Sequence, residues 1–503
     1  MHPIAPITLE IIVLILGVFL LLAESFSKDG NKNWMPETAI FVLAWVFAFS
    51  FFTPGNPSPL PETGFWHFYS ADPTALFFKR IALLTTIVVL VMCLEYRSVV
   101  ERFIPGETPG AGLGEFYSLP VFTCAGLMFM ASAVDFLLIF VSLELVTISF
   151  YILVAYMRRN PASLEAGVKY LILGALSTGF LVYGITWIFG VTGETNLSQI
   201  AVKLPQLHGS EQALLFGLML VMIGLGFKVA AAPFQLWVPD VYQGAPTPIT
   251  AFLSVGSKAA GFIVLIRVLQ PFLVLPTVSG KILSLVAILA ALSLIYGNLA
   301  AMPQDNLKRL LAYSSIAHAG YILVAVASVS SEMANPGAAN VAIGYYLAGY
   351  LLMTLLSFLV MIIVARHSRG DDIMHFNGLG KRSPFLAAGM LIAMLSLAGI
   401  PFTAGFMGKF LVFAAAVEQH HFFLVGIGIV TVAAGFYYYL RIVSAMYWQE
   451  PNDDTPITVG PLARLVITVL AVATIFFGIF PQPIIAALQP SQTAATPTVA
   501  SVK

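Results

Sequence analysis

Roughly fourteen stretches of about 20 apolar residues follow one another along this chain, and they limit it to very few folds. A stretch of that length crosses a hydrocarbon core of about 30 Å as an α-helix. Inside lipid, every backbone N–H and C=O group needs an internal partner, which a helix supplies within its own segment. The sequence therefore predicts an all-α integral membrane protein with about 14 transmembrane helices. These helices are predicted to begin near Ile7, Glu37, Ala75, Phe116, Phe136, Gly167, Ala213, Pro248, Lys281, Leu307, Val341, Phe385, Phe422 and Leu465.

The composition agrees with a membrane protein and argues against two other kinds of function. Of the 503 residues, 59% are hydrophobic and only 10% are charged, and the formal net charge is zero. A neutral chain whose aromatic residues lie inside apolar runs has no basic surface for nucleic acid. The cysteines, Cys93 and Cys124, both lie in apolar stretches and predict no disulfide, haem or iron–sulfur site. No other motif predicts a metal or cofactor bound by this chain.

The distribution of basic residues predicts how the helices are oriented. When the loops are counted in order, fourteen Lys and Arg fall in the odd-numbered loops and five in the even-numbered loops and the termini. Loops rich in Lys and Arg stay in the cytoplasm. The odd loops are therefore predicted to be cytoplasmic, and both termini to lie on the periplasmic side. The five basic residues assigned to the outer side are Lys79, Arg80, Lys203, Lys281 and Lys503.

Two sequence matches at nearly equal offsets predict an internal repeat. The pentapeptide Tyr-Ile-Leu-Val-Ala starts at Tyr151 and again at Tyr321, which is 170 positions later. A Pro-Phe pair at Pro233 recurs at Pro401, which is 168 positions later. Two agreeing offsets favour a duplicated unit of five helices, and because five is odd the copies are predicted to be inverted. The two prolines are expected to break predicted helices 7 and 12.

The predicted helices group into five consecutive segments. Residues 1–115 hold helices 1–3, residues 116–270 hold the first repeat with helices 4–8, and residues 281–448 hold the second repeat with helices 9–13. Helix 14 occupies residues 463–486. The small and polar residues 487–503 are predicted to form a disordered tail.

Four charged side chains inside apolar stretches are the strongest functional signal. Glu144, Lys228, Lys258 and Lys409 each fall well within a predicted helix. A charge at that depth costs at least about 2.5 kcal/mol, and charged residues kept there commonly serve proton or ion pathways. Lys228 also precedes Pro233 by five residues, where carbonyl groups and water can reach its ammonium. The charges predict a proton relay in which Glu144 alters the proton affinity of Lys228; a structural carboxylate and a static ion pair are the alternatives.

His318, in predicted helix 10, is a further candidate for this relay. A histidine titrates near neutral pH, so it could pass a proton between Lys258 and Lys409. A packed and hydrogen-bonded structural histidine is the alternative. The sequence leaves both roles open.

Three motifs resemble the antiporter-like membrane subunits of respiratory complex I. They are FKVAAAPFQLWVPDVYQGAPTPITAFLSVGSKAAGF at 227–262, LKRLLAYSSIAHAGY at 307–321 and SLAGIPFTAGFMGKF at 396–410. These motifs are long and specific, and the resemblance covers nearly the whole chain. By position, the buried glutamate and lysines of that family correspond to Glu144, Lys228, Lys258 and Lys409.

The resemblance implies a proton-translocating membrane subunit of NADH:quinone oxidoreductase in a bacterial plasma membrane. Its partners would be other membrane-arm subunits and the lipid bilayer. NADH, FMN, iron–sulfur clusters and a quinone would be bound by other subunits, and this chain would carry no redox centre.

Two other functions remain open from the sequence. A subunit of a multi-subunit sodium/proton antiporter would respond to sodium and pH gradients without NADH. A purely structural membrane spacer would tolerate neutral residues at all four charged positions.

Overall fold

The computed structural model of this chain describes residues 6–26, 32–53, 64–105, 112–206, 209–329, 338–368, 370–451 and 455–489, and these are mostly helical. The α-helices are α1 Thr8–Phe26, α2 Trp34–Phe49, α3 Pro73–Phe103, α4 Gly114–Ser132, α5 Phe136–Val154, α6 Pro161–Thr192, α7 Leu197–Lys203, α8 Glu211–Val229, α9 Val238–Gly244, α10 Thr247–Phe252, α11 Lys258–Leu269, α12 Pro276–Ala301, α13 Leu307–Ala327, α14 Ala338–Ser368, α15 Leu379–Arg382, α16 Pro384–Ala398, α17 Ala404–Glu418, α18 Phe422–Trp448, α19 Pro461–Ile479 and α20 Gln482–Leu488.

All fourteen predicted transmembrane helices coincide with helices of the structure. Within the described residues, eleven helices are long and apolar enough to span a membrane. The other three predictions correspond to α2, to α4 and to the pair formed by α16 and α17. Outside the helices, the described segments hold isolated β-bridges but no β-strand. The predicted fold class, an all-α membrane protein, is confirmed.

The centre of the molecule is formed by α10, α11, α13 and α14, which are almost wholly buried. Around them, α6, α12, α18 and α19 expose large apolar side chains such as Ile172, Leu299 and Val430. An apolar outer surface is expected for a lipid-embedded protein, because lipid tails are as apolar as the side chains. Two of these buried helices, α11 and α13, carry Lys258 and His318.

Predicted helix 7 ends at a break next to its proline, as expected. The helix α8 stops at Val229 because Ala230 adopts a left-handed conformation, with φ of 62°. The chain then turns through Pro233 before the short helix α9 begins. Lys228 is thus the second-last residue of α8 and lies beside the unwound segment.

Predicted helix 12 is also broken at the expected place, between α16 and α17. Gly399, with φ of 90°, ends α16, and the side chain of Thr403 accepts a hydrogen bond from the Phe406 N–H at the start of α17. A Cβ atom at Gly405 would lie 1.9 Å from the Ser396 carbonyl oxygen. Since real Cβ contacts are never that short, glycine is required where the two halves of the broken helix meet.

Predicted helix 8 departs from the regular helix that the sequence indicates. After α10 the chain forms a π-helical turn, Leu253–Ser257, and α11 begins at Lys258. A π turn accommodates an extra residue and is frequent at functional sites. No proline marks this turn in the sequence, so the apolar pattern alone did not reveal it.

The assignment of Lys79 to an outer loop is wrong. The helix α3 begins at Pro73 and buries Lys79 completely, with its Nζ 2.7 Å from Glu10 Oε1 on α1. A nearby carboxylate makes a buried ammonium tolerable. Hydropathy along the chain cannot locate a partner 69 positions away, so Lys79 was counted with the preceding loop although the predicted helix start, Ala75, lies close to Pro73.

The predicted C-terminal tail begins inside a helix. After α19 ends at Ile479, residues 482–488 form the short helix α20. The remainder of the predicted tail, residues 490–503, lies outside the described residues.

Candidate functional site

The five side chains predicted to form a relay lie on five helices. Glu144 is on α5, Lys228 on α8, Lys258 on α11, His318 on α13 and Lys409 on α17. The lysines and the histidine are buried, whereas Glu144 is partly exposed. None of the ion pairs in the described part of the chain includes any of these residues. Polar uncharged groups therefore hold the three ammonium groups.

Lys228 is held by a hydroxyl group on a neighbouring helix. Its Nζ donates a hydrogen bond to Thr147 Oγ1 on α5 at 2.6 Å. Glu144 lies one turn earlier on α5, and residues at that spacing share a helix face. The Glu144 carboxylate accepts a hydrogen bond from Thr178 on α6 at 2.9 Å. The structure thus brings Glu144 and Lys228 into the same region, with Lys228 bound to Thr147 and Glu144 bound to Thr178.

Gly261 allows α11 to pack closely on α8, which brings Lys258 close to Lys228. A Cβ atom at Gly261 would lie 3.6 Å from the Cβ of Lys228, so α11 packs directly on the turn of α8 that carries this lysine. Gly261 follows Lys258 by three residues, which is about one turn of α11. The two lysines therefore occupy adjoining turns of packed helices.

Lys258 contacts the central helix α13. Its Nζ donates to the Ser315 carbonyl oxygen at 2.5 Å and also to Ser315 Oγ. The Tyr242 hydroxyl lies 3.1 Å from the same Oγ. On the other side, the centroid of the Tyr350 ring is 5.5 Å from Nζ, and the Tyr350 hydroxyl shares a hydrogen bond of 2.8 Å with Ser254. Neutral hydroxyl and carbonyl groups thus solvate this lysine.

His318 is hydrogen-bonded through both ring nitrogens. Its Nδ1 lies 2.7 Å from the Tyr346 hydroxyl and its Nε2 lies 3.1 Å from the Tyr439 hydroxyl. The Tyr439 hydroxyl also bonds to Ser314 Oγ. Because a tyrosine hydroxyl can donate or accept, a neutral imidazole is satisfied in either tautomer. This geometry is compatible with both roles that the sequence left open.

Lys409, on α17, binds the C-terminal end of α16, which lies on the other side of the helix break. Its Nζ donates to the carbonyl oxygens of Leu397 at 2.9 Å and Ala398 at 2.8 Å. The last carbonyls of a helix lack partners within the helix and carry the negative end of its dipole. Gly399 leaves room, because a Cβ there would lie 3.1 Å from Nζ. On the opposite side the centroid of the Tyr321 ring is 5.1 Å away.

The helix α13 aligns these groups in order. Ser315, His318 and Tyr321 follow one another at intervals of three residues, which are steps of about 4.5 Å along a helix. Ser315 contacts Lys258 and Tyr321 contacts Lys409, with His318 between them. The structure therefore brings Lys258, His318 and Lys409 together along one buried helix.

The sequence reading missed the hydroxyl groups of this site. Thr147 holds Lys228, Ser315 holds Lys258, and Tyr346 and Tyr439 hold His318. A signal was present, because buried tyrosines usually need a partner for the hydroxyl group. The tyrosines within GYYLAGY and FYYYL, both inside apolar helices, were therefore markers of a buried polar cluster.

A second buried charged cluster joins α1 to α3. Glu10 and Lys79 are both fully buried and form an ion pair of 2.7 Å. The Tyr69 hydroxyl donates to Glu10 Oε1 at 3.1 Å and accepts a hydrogen bond from Lys79 Nζ at 2.6 Å. The sequence reading assigned no role to this cluster, because it had placed Lys79 in a loop.

Charged residues also fix α9, which follows the first break. Asp240 on α9 accepts hydrogen bonds from Lys169 on α6 at 2.7 Å and from Arg309 on α13 at 2.8 Å. Partial burial raises the pKa of the Asp240 carboxyl, but these two hydrogen bonds and the charges behind them outweigh it and leave the pKa below its ordinary value. Asp240 is therefore ionised at neutral pH and ties α9 to two helices. Across the described ranges, no group of three or more His, Cys, Asp or Glu side chains could hold a metal ion.

Comparison with known proteins finds relatives over almost the full length of the chain. The family model described as NADH:quinone oxidoreductase/Mrp antiporter, TM, matches residues 133–435. NADH-quinone oxidoreductase subunit N of Desulforamulus reducens is 40% identical over 480 residues, covering 95% of this chain and 96% of that protein. The protein of the same name from Desulfitobacterium hafniense is 39% identical over 505 residues, covering 97% of this chain and 98% of that protein.

Solved structures share the fold. A chain of respiratory complex I from Thermus thermophilus is 31% identical, with a TM-score of 0.78 over 96% of this chain and 99% of that chain. A chain of the Mrp complex from Dietzia sp. DQ12-45-1b has a TM-score of 0.79 over 96% of both chains. Its identity is only 18%, so this second likeness concerns the fold alone.

Proposed function

Because the chain belongs to the family of NADH-quinone oxidoreductase subunit N, an antiporter-like membrane subunit of a translocating oxidoreductase, we propose that its buried charges pump protons. The relay consists of Glu144, Lys228, Lys258 and Lys409, with His318 between the last two. The observation that carries this proposal is that Lys258 and Lys409 contact the buried helix α13 about one turn to either side of His318.

The first step is a change of electrostatic field at Glu144, which quinone chemistry elsewhere in the complex sets off. One unit charge at about 10 Å is worth roughly 1.7 kcal/mol at an effective dielectric of 20, or a little over one pKa unit. Thr147 keeps Lys228 close to Glu144, so a change at the carboxylate alters how tightly Lys228 holds its proton. Several such contributions must add to move a proton against a membrane potential.

The later steps follow the contacts of the packed helices. Lys228 passes its proton to Lys258 across the contact that Gly261 permits between α8 and α11. Lys258 passes it along α13 through His318 to Lys409, and Lys409 releases it on the outer side. Hydroxyl and carbonyl partners suit these lysines, because such groups do not demand a permanent positive charge as a carboxylate would.

The cofactors, the partner subunits and the membrane location are part of the same proposal. NADH, FMN, the iron–sulfur clusters and the quinone belong to other subunits, and the partners of this chain are neighbouring subunits of the membrane arm. The partial exposure of Glu144 supports a neighbour beside α5. The chain resides in a bacterial plasma membrane with both termini on the periplasmic side, which the excess of Lys and Arg in the odd loops supports.

A sodium/proton antiporter subunit is the second candidate function. The fold shared with the Mrp complex chain favours it. Such a subunit would exchange sodium for protons in vesicles that receive no NADH. The relatives at about 40% identity over almost the full chain are named as subunits of NADH-quinone oxidoreductase, and they favour the first function.

Lys228→Ala is expected to lower NADH-driven proton uptake by inverted membrane vesicles at least about tenfold, because it removes the amine that passes a proton to Lys258 and with it a bias of about one pKa unit from Glu144. Uptake is normalised to the amount of intact complex. The matched control is Lys281→Ala, since Lys281 is exposed and lies near the start of α12, a helix that carries none of the relay residues. If the assembled Lys228→Ala complex pumps as well as this control, the relay is refuted and the chain is a structural spacer.

A further inference from the structure

We infer that two tyrosine hydroxyl groups carry the proton on the two sides of His318, with Tyr439 on the incoming side and Tyr346 on the outgoing side. The inference rests on the proposed proton-pumping function and adds two residues to it. Its starting point is that the two hydroxyl groups bind opposite nitrogens of one buried imidazole. An imidazole that gives a proton from one nitrogen must gain a proton at the other, or it would be left as a buried anion.

Tyr439 leads from His318 back to the side of Lys258. Its hydroxyl bonds to His318 Nε2 at 3.1 Å and to Ser314 Oγ. Ser314 is adjacent in the chain to Ser315, whose Oγ accepts a hydrogen bond from Lys258 Nζ. A hydroxyl chain therefore starts at the Lys258 ammonium and ends at Nε2, with one gap between neighbouring serines that a single water molecule can bridge.

Tyr346 leads from His318 toward Lys409. Its hydroxyl lies 2.7 Å from Nδ1, and its ring packs on α17 at Gly408, where a Cβ atom would lie 3.1 Å from Tyr346 Cδ2. Gly408 directly precedes Lys409. The Tyr346 ring also stacks on Tyr321 at 6.3 Å, and Tyr321 supports the ammonium of Lys409. The flexible stem of Lys409 can turn its amine toward this hydroxyl, directly or through one water molecule.

The transfer leaves the charge of each intermediate group unchanged and converts His318 from its Nδ1–H to its Nε2–H tautomer, which must revert before the next proton passes. Lys258 loses one N–H proton, and Tyr439 receives a proton on its oxygen as its own O–H proton passes to Nε2. His318 then releases the Nδ1 proton to Tyr346, and the O–H proton of Tyr346 passes to the neutral amine of Lys409. One bond to hydrogen forms for each one that breaks, and no electron is transferred. Neither tyrosine has to persist as a buried tyrosinate, which would be costly in an apolar interior.

The test compares three single substitutions that each remove one buried hydroxyl group. Tyr346→Phe and Tyr439→Phe are each expected to lower NADH-driven proton uptake per intact complex at least about tenfold, which is less than the full contribution of a positioned proton-transfer group because a water molecule partly replaces the lost hydroxyl. Tyr345→Phe is the matched control. Tyr345 neighbours Tyr346, is also buried, and donates a hydrogen bond of 2.6 Å to the Phe477 carbonyl oxygen on α19. Its loss should change uptake no more than about twofold, because this hydrogen bond lies off the path and its removal affects stability instead of proton transfer.

A second measurement separates proton transfer from positioning. Replacing Tyr346 by 3,5-difluorotyrosine keeps the ring and its hydroxyl but makes the hydroxyl more acidic. The uptake rate is expected to change at position 346 and to stay constant when Tyr345 is replaced in the same way. A structural hydroxyl would leave both rates constant.

The inference is overturned if Tyr346→Phe and Tyr439→Phe pump like Tyr345→Phe, or if difluorotyrosine at position 346 has no effect. Loss of pumping in Lys228→Ala together with normal pumping in the two tyrosine variants would overturn only this inference. Normal pumping in Lys228→Ala would instead overturn the proposed function itself.

Discussion

Lys258→Met is expected to reduce NADH-driven proton uptake per intact complex at least about a hundredfold, the lower end of what a positioned proton-transfer group contributes. Lys258 links two parts of the relay. Its helix, α11, packs on the turn of α8 that carries Lys228, and the Lys258 ammonium binds Ser315 on α13. Methionine keeps the length and most of the volume of the side chain but carries no proton. Substitutions that conserve volume usually cost little stability, so pumping is expected to fail while the complex assembles.

The control for this prediction is Lys281→Met, which makes the same chemical change at an exposed position. Uptake is followed with a pH-sensitive dye in inverted vesicles, and the intact complex is quantified in the same preparation. Normal pumping by assembled Lys258→Met complex would contradict the prediction. A loss of pumping that only mirrors a loss of assembled complex would contradict it as well, because Lys258 would then serve folding.

Lys79→Met is expected to destabilise the chain by about 3–5 kcal/mol, because it leaves the Glu10 carboxylate buried without its partner charge. Both side chains are fully buried, and the ion pair of 2.7 Å joins α1 to α3. The loss should appear as a lower amount of the subunit in membranes and as earlier thermal unfolding in detergent. Proton uptake per surviving complex should change little, because this cluster is separate from the relay.

A double substitution tests the electrostatic origin of that effect. Glu10→Gln combined with Lys79→Met removes both charges, so most of the lost stability should return. Arg366→Met removes one partner of a half-exposed ion pair with Glu95 and should cost no more than about 1 kcal/mol. If the double variant is as unstable as Lys79→Met alone, packing and not the stranded charge explains the loss.

The positions of the helices and of their breaks could be predicted because both follow from local sequence. Apolar runs set the fourteen helices, and Pro233 and Pro401 lie where α8 and α16 have ended. The charged residues stood out for the same reason, since each interrupts an apolar run. The structure shows both predicted helix breaks, while the five-helix repeats, their inverted relation and the outward orientation of the termini stay predictions.

The rest of the site depends on contacts between distant parts of the chain. The π-helical turn before Lys258 has no proline to announce it. Tyr346 and Tyr439 meet His318 from helices 28 and 121 positions away, and Glu10 meets Lys79 from another helix. Such partners leave no periodic signal. The hydroxyl partners of Glu144 and Lys228 were missed in the same way, because Thr178 and Thr147 lie on other helices than the charges they bind.

The contact of Lys409 with the end of α16 determines where this site tolerates sequence drift. Its two acceptors are main-chain oxygens, so replacing Leu397 or Ala398 by another apolar residue leaves both in place. Gly399 and Gly405 have no such freedom, because the left-handed turn and the contact with Ser396 exclude a side chain. A saturation mutagenesis screen should therefore find that Leu397 and Ala398, which bind the ammonium, accept other apolar residues. Gly399 and Gly405, which do not carry the proton, should accept no substitution.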